Sequence, residues 1–235
     1  METDLSRRGF LGAAGAVAAA GAVAGASAAG AEAAPQGKKI KILAVSGSPR
    51  KGKTTAAALA VCLEAAKAVD PERIETELID LAGLNINGLV AAGIELPPGH
   101  KDDFLALEPK LSDPAVRGII VGSPVYFGDM TSLCKAFLER LMVFKKTLAL
   151  SNRVGGALAV AGARNGGQEN TLRSIQAALF AQEMVVVGDG RPTCHCGATL
   201  WNNAKDDIAQ DAAGIATAKN LGRRVAEVAR MLARA

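Results

Sequence analysis

Short, almost uninterrupted apolar runs alternate with stretches of helical periodicity from Ile40 onward, and that rhythm restricts the chain to few architectures. Ile40 to Val45 predicts a first strand and Thr54 to Val69 a helix; Ile74 to Leu81 predicts a second strand and Asp102 to Leu111 a short helix. Strands three, four and five are expected over Gly118 to Gly122, Gly156 to Ala161 and Met184 to Val187. The helices that follow them are expected over Thr131 to Phe144, Glu169 to Gln182 and Asp207 to Ala233. Strands apolar on both faces and joined by helices make a parallel sheet covered on both sides. The expected fold is therefore α/β, one domain with a doubly wound parallel five-stranded sheet in the order 2-1-3-4-5. Such a sheet takes ligands beyond the C-terminal ends of its strands, beside strand one where the order reverses. The loops after strands one, three and four are thus the candidate site. No internal repeat interrupts the pattern, and Leu81 to Pro98 reads as a long loop.

The loop after strand one reads GSPRKGKT, Gly47 to Thr54. A strand delivers the chain to a glycine-bearing turn, backbone N–H groups face an anion there, and the next helix presents its positive N-terminal end. Phosphate binding follows from this arrangement. The string matches the nucleoside-triphosphate pattern G-x-x-x-x-G-K-[ST] letter for letter, and other phosphate loops share its chemistry. A triphosphatase also needs an aspartate for Mg²⁺ at the end of another apolar strand. Strand three ends in Gly122-Ser123-Pro124 and strand four in Gly162; Asp80 and Asp189 come nearest, and neither has the usual setting.

Residues 1–33 carry a different signal. Ser6, Arg7, Arg8, Phe10 and Leu11 precede an Ala/Gly/Val stretch that runs to about Ala31, which resembles a twin-arginine export signal. Ala26-Ser27-Ala28 and Ala31-Glu32-Ala33 are candidate cleavage sites. The expectation is a removed signal over residues 1–33, a linker over 34–38 and the folded domain over 39–235, with the product periplasmic or otherwise outside the cytoplasm. The alternative is an uncleaved signal retained as a membrane anchor.

The formal net charge is +4, and Arg223, Arg224, Arg230 and Arg234 spread along one helix instead of clustering, so nucleic acid is not an expected partner. Cys62 and Cys134 fall on apolar helical stripes and read as core. Cys194-His195-Cys196 follows strand five, which places it on the ligand side of the sheet. With His100 as the only other histidine, zinc ligation is not expected.

The segments VSGSPRKGKTT, GSPVYFGDMTSLCKAFLER and AGARNGGQENTL together resemble the flavodoxin-like NAD(P)H-dependent FMN reductase family, in particular its iron–sulfur-flavoprotein-like branch. The resemblance extends from Lys39 to about Asn203. It implies that Ser46, Ser48, Arg50, Lys53, Thr54 and Thr55 surround the FMN phosphate, Lys53 standing where the family usually has asparagine. It places Pro124, Val125, Tyr126, Phe127 and Gly128 along the ribityl chain and ring, and Gly162, Ala163, Arg164 and Gly167 near the ring's polar edge. That branch carries a cysteine cluster for a [4Fe–4S] centre after strand two; here NINGLVAAGIELPPGHKDDF contains no cysteine, so a flavin-only relative is expected.

The resulting expectation is an exported FMN-dependent oxidoreductase working in ping-pong fashion at flavin N5. NAD(P)H is the family's donor, with a quinol or redox protein as substitute outside the cytoplasm. The acceptor would be a small molecule such as a quinone, flavin, azo compound or metal ion. No catalytic side chain is assigned, because the flavin carries the chemistry. The alternatives are an electron-carrier flavodoxin and, further off, the triphosphatase. The resemblance also implies a homodimer or homotetramer.

Overall fold

The computed structural model describes residues 38–233, so the expected export signal and most of the linker lie outside the described residues. Five parallel strand positions stand in the order β2-β1-β3-β4-β5, as the alternation of apolar runs requires. The strands are β1 (Ile40–Ser46), β2 (Ile74–Asp80), β3 (Val116–Pro124), β4 (Val154–Ala161), β5 (Val185–Val186) and β6 (Ala198–Trp201). The helices are α1 (Thr54–Val69), α2 (Glu108–Ser112), α3 (Ser132–Arg140), α4 (Gln168–Phe180) and α5 (Ala212–Leu232). This is the flavodoxin-like arrangement.

Side chains alternate across β1, and each face seeds its own core. Ile42 and Ala44 pack with Leu59, Leu221 and Val225 beneath α1 and α5. Leu43 and Val45 pack with Phe104, Phe137 and Leu172 beneath the other helices. The α1–α5 contact is close enough that a Cβ built on Gly222 would lie 1.9 Å from the Cys62 carbonyl oxygen. Backbone cannot yield as a side chain does. Gly222→Ala is therefore expected to destabilise the fold by about 3 kcal/mol, the upper part of the overpacking range, read as a lowered urea midpoint with an unchanged m-value.

Three differences from the sequence reading bear on the site. The strands β3 and β4 begin at Val116 and Val154, ahead of Gly118 and Gly156, because ladder pairing continues past the charged and glycine positions that end the apolar runs. Helix α5 begins at Ala212 instead of Asp207, where the Asp211 carboxylate accepts a hydrogen bond from the Gly214 N–H and caps the helix.

The third difference is the fifth strand position, which is split. β5 pairs with Val154 and Gly155, the chain then leaves the edge, and β6 returns to pair with Leu158 to Ala161 of β4. Cys194-His195-Cys196 sits on this excursion, not beyond the C-terminal end of the edge strand. The reason is that β6 resumes the ladder, so the strand position ends at Trp201. Buried Asp189 holds the excursion together, accepting hydrogen bonds from the His195 N–H and the Thr193 hydroxyl, and Asn220 of α5 donates to Thr193 Oγ1 at 2.8 Å. Among the described residues no group of three His, Cys, Asp or Glu side chains is placed to hold a metal ion.

The long loop after β2 is ordered by one buried cation. Arg140, 1% exposed, donates to Asp102 Oδ1 at 2.6 Å and to the Asn87 carbonyl at 3.4 Å. Its guanidinium carbon also lies 4.6 Å from the Phe104 ring centroid. Asp102 in turn caps the short 3₁₀ turn Asp103–Ala106, which leads into α2.

Candidate functional site

The loop after β1 is braced from both sides. Gly47 N–H donates to the Gly122 carbonyl at 2.7 Å, and Thr131 Oγ1 donates to the Gly47 carbonyl, tying the loop to the end of β3 and the cap of α3. A Cβ on Gly47 would lie 2.5 Å from the Cys134 Cβ, so only glycine permits this approach. The Asp80 carboxylate at the end of β2 accepts the Gly52 N–H at 2.9 Å and the Ala82 N–H at 3.2 Å. Both its oxygens serve as loop braces, which leaves the triphosphatase reading without its nearest metal-binding acid. Asp189, the other candidate, is committed to the edge excursion.

Within this frame Ser48 is buried, and its Oγ accepts the Arg50 N–H at 3.1 Å, turning the chain toward α1. Lys53 sits at the N-cap of α1 without a side-chain capping bond, and no acidic residue lies in the first turn. The end of a sixteen-residue helix is thus left with its N–H groups and partial positive charge for an anion. Ser46 and Thr55 are buried, and Ser46 Oγ and Thr55 Oγ1 have no hydrogen-bond partner among the described residues. Buried hydroxyls without partners cost stability unless something satisfies them. Thr54 is also buried, with Asn202 Nδ2 at 3.5 Å from its hydroxyl.

The loop after β3 is a tight reversal in which Tyr126 and Asp129 bridge each other. Phe127 has φ 50° and Gly128 φ 81°, the two left-handed residues that such a turn needs at its centre. The strain at Phe127 turns its ring fully into solvent, with Tyr126 44% exposed beside it. Pro124 ends β3, and Val125 N–H donates to the Val160 carbonyl at 2.9 Å.

The loop after β4 closes on that turn. A Cβ on Gly167 would lie 2.9 Å from the Gly128 Cα, and Asn170 Nδ2 donates to the Gly128 carbonyl at 3.0 Å. Gly167, with φ 104°, caps α4, while Gln168 reaches back to the Ala163 carbonyl at 2.8 Å and receives the Gly166 N–H. A Cβ at Gly162 would meet nothing within 4 Å. Arg164 does not stand free at this edge. It pairs with buried Asp211 at 2.7 Å and lies over the Trp201 ring, 5.2 Å from its centroid.

The residues expected at the site therefore lie on, or at the ends of the elements flanking, three loops at one end of the sheet, the loop after β3 bonded to each of the other two. Sequence reasoning missed a fourth, between β6 and α5. Its Asp206 carboxylate reaches Arg50 Nη1 at 2.8 Å and Lys53 Nζ at 3.0 Å. The hydrogen bond from Lys53, with the Arg50 charge nearby, holds the Asp206 carboxyl below the usual aspartate range. The only available signal was an acid in the loop after strand five, and β6 itself had not been anticipated.

These residues fit a flavin mononucleotide. Two cations, an uncapped helix start and partnerless buried hydroxyls suit a phosphate ester, and the exposed aromatic turn beside open glycine backbone suits a flat ring.

Residues 40–198 match the family described as NADPH-dependent FMN reductase. An iron–sulfur flavoprotein of Methanocaldococcus jannaschii is 39% identical over 197 residues, covering 82% of this chain and 99% of that one. An NAD(P)H dehydrogenase (quinone) of Acidithiobacillus ferrooxidans is 30% identical over 151 residues, covering 58% of this chain and 70% of that one. Among solved structures, an oxidoreductase from Corynebacterium diphtheriae superposes with a TM-score of 0.62 at 20% identity, covering 82% of this chain and 98% of that one. That last likeness speaks for the fold alone.

Proposed function

Because this chain belongs to the NADPH-dependent FMN reductase family and is an FMN-dependent oxidoreductase, we propose that it is exported and reduces a small acceptor such as a quinone. The electrons would come from NAD(P)H or, outside the cytoplasm, from a quinol or redox protein. When bound, FMN would supply hydride-transfer chemistry at N5, for which the residues of the three loops would bind and orient it. The observation that carries the reading is the junction of the Gly47–Lys53 loop with the Pro124–Gly128 and Gly162–Gly167 loops.

The chain's own residues bind and orient. Arg50, Lys53 and the Thr55 hydroxyl supply charge and donors for the phosphate. Exposed Tyr126 and Phe127 supply apolar surface that excludes water from the ring, and the backbone around Gly162 supplies N–H groups for its polar edge. Arg164, anchored by Asp211, keeps the loop after β4 in register with β6.

The reading is free of an iron–sulfur cluster. Cys62 and Cys134 are buried in the separate cores on the two faces of the sheet, so they cannot converge on one cluster, and burial raises both thiols. Cys194 and Cys196 lie on the edge excursion, away from the loop after β2. Purified protein is expected to be yellow, to release FMN on denaturation, and to contain neither iron nor acid-labile sulfide. Colourless protein without affinity for FMN overturns the reading.

Export has its own test. The double change Arg7→Lys with Arg8→Lys is expected to leave full-length precursor in the cytoplasm, while the native sequence yields a shortened product outside it. Equal processing of both would remove the twin-arginine assignment. The working form would be a homodimer or homotetramer, which sedimentation equilibrium reads directly.

A further inference from the structure

We propose that Asp206 is an internal competitor for the phosphate site, a carboxylate that holds Arg50 and Lys53 until a phosphate ester displaces it and releases the loop between β6 and α5. The inference rests on the phosphate-loop reading above and assigns to that site a specificity-determining residue outside it.

The geometry is that of an anion already seated. One carboxylate oxygen of Asp206 takes the Arg50 guanidinium and the other takes the Lys53 ammonium. A phosphate ester entering the start of α1 needs the same two donors. Two anions on one cation pair repel each other, so occupancy of one excludes the other. Lys53 and Arg50 keep Asp206 ionised well below neutral pH, so the competitor is charged throughout the physiological range.

The segment carrying Asp206 is held in a conformation that it would not adopt unaided. Asn203, Ala204 and Asp206 have φ of 50°, 53° and 62°. Asparagine and aspartate tolerate the left-handed region, and Ala204 is held in it by its N–H donating to Asn202 Oδ1 at 3.0 Å. The ends are pinned by the Asn202 N–H to the Ala161 carbonyl at 2.9 Å and by buried Asp211 at the start of α5. Ile208 between those pins is buried in the core, which leaves residues 203–207 exposed, and the ion pairs to Arg50 and Lys53 tie residue 206 to the phosphate loop. Once a phosphate takes over the cations, residue 206 loses the contacts that offset its left-handed backbone, and the exposed segment around it relaxes.

The release has a neighbour that senses it. Trp201 is the only tryptophan in the chain. Its backbone N–H donates to Asp211 Oδ2 at 2.9 Å, and its ring lies beneath Arg164 of the loop after β4. Residues 203–207 follow Trp201 closely in the chain, so their movement alters the surroundings of the indole.

The test is Asp206→Asn in the full chain, with dissociation constants for FMN, riboflavin and inorganic phosphate compared with those of the native protein after flavin removal. Two exposed ion pairs of ordinary worth predict that FMN and phosphate bind about tenfold more tightly to the variant. Riboflavin, which lacks the phosphate, should bind both proteins equally. Phosphate should shift Trp201 fluorescence in the native protein, and Asp206→Asn should show that shift beforehand. Asp206→Ser should repeat the gain, with thermal melting confirming that each variant folds. FMN binding that is unchanged or weaker in both variants overturns the proposal, since Asp206 would then be a bystander or would orient the cations. A native chain that takes up neither FMN nor phosphate overturns the underlying site reading instead, so the two failures are distinguishable.

Discussion

Replacing Arg50 and Lys53 together by alanine is expected to weaken FMN binding about a thousandfold, since two charge-assisted contacts of roughly 1.5–3 kcal/mol each are lost. Riboflavin binding should change little, because both side chains stand at the start of α1, bridged by Asp206, where the proposed reading puts the phosphate. Each single substitution should cost less than the double change, since the remaining cation still faces the start of α1. Flavin-fluorescence titration with both ligands checks this. An equal loss for riboflavin would mean that the loop had collapsed, because direct loss of phosphate contacts is confined to FMN.

The second large effect lies away from the flavin. Asp102→Ala would leave the Arg140 guanidinium buried against Phe104 without its carboxylate. Breaking a buried pair from one side costs about 3–5 kcal/mol. For a domain of this size that corresponds to a melting temperature lower by about 10 °C. The added change Arg140→Met removes the stranded charge and should recover much of the loss, since an apolar side chain packs against Phe104 without needing a partner. If Asp102→Ala melts within a degree or two of the native protein, Arg140 has found another acceptor. The segment between Asn87 and Asp102 should meanwhile become the first site of proteolytic cleavage, because that pair joins its two ends to α3.

What was legible in the sequence were the parts whose physics is local. β1, β3 and β4 are buried on both faces, so they had to be continuous apolar runs, and the glycines of their loops mark backbone that a side chain would obstruct, as at Gly47 and Gly167. β6 escaped because Ala198–Trp201 is four residues long and follows an excursion that resembles the end of a strand. Missing β6 misplaced the start of α5, and with it the loop that carries Asp206. Nothing local distinguishes that aspartate from any solvated loop acid; only the fold brings it across to Arg50 and Lys53. Arg164 illustrates the same limit, since its partners Asp211 and Trp201 are set by an edge strand that had not been foreseen.

The split fifth strand also bears on how copies of the chain can meet. A sheet margin with a long unbroken row of free amides invites another strand to add to it. Here the margin beyond β4 is interrupted between Val186 and Ala198 by a folded detour, and the opposite margin, β2, interleaves Glu75, Glu77 and Asp80 with its apolar residues. Both borders thus discourage intermolecular ladder growth and the fibrils that follow from it. Copies of the chain that associate would therefore meet through side-chain surfaces and not by adding strand to strand.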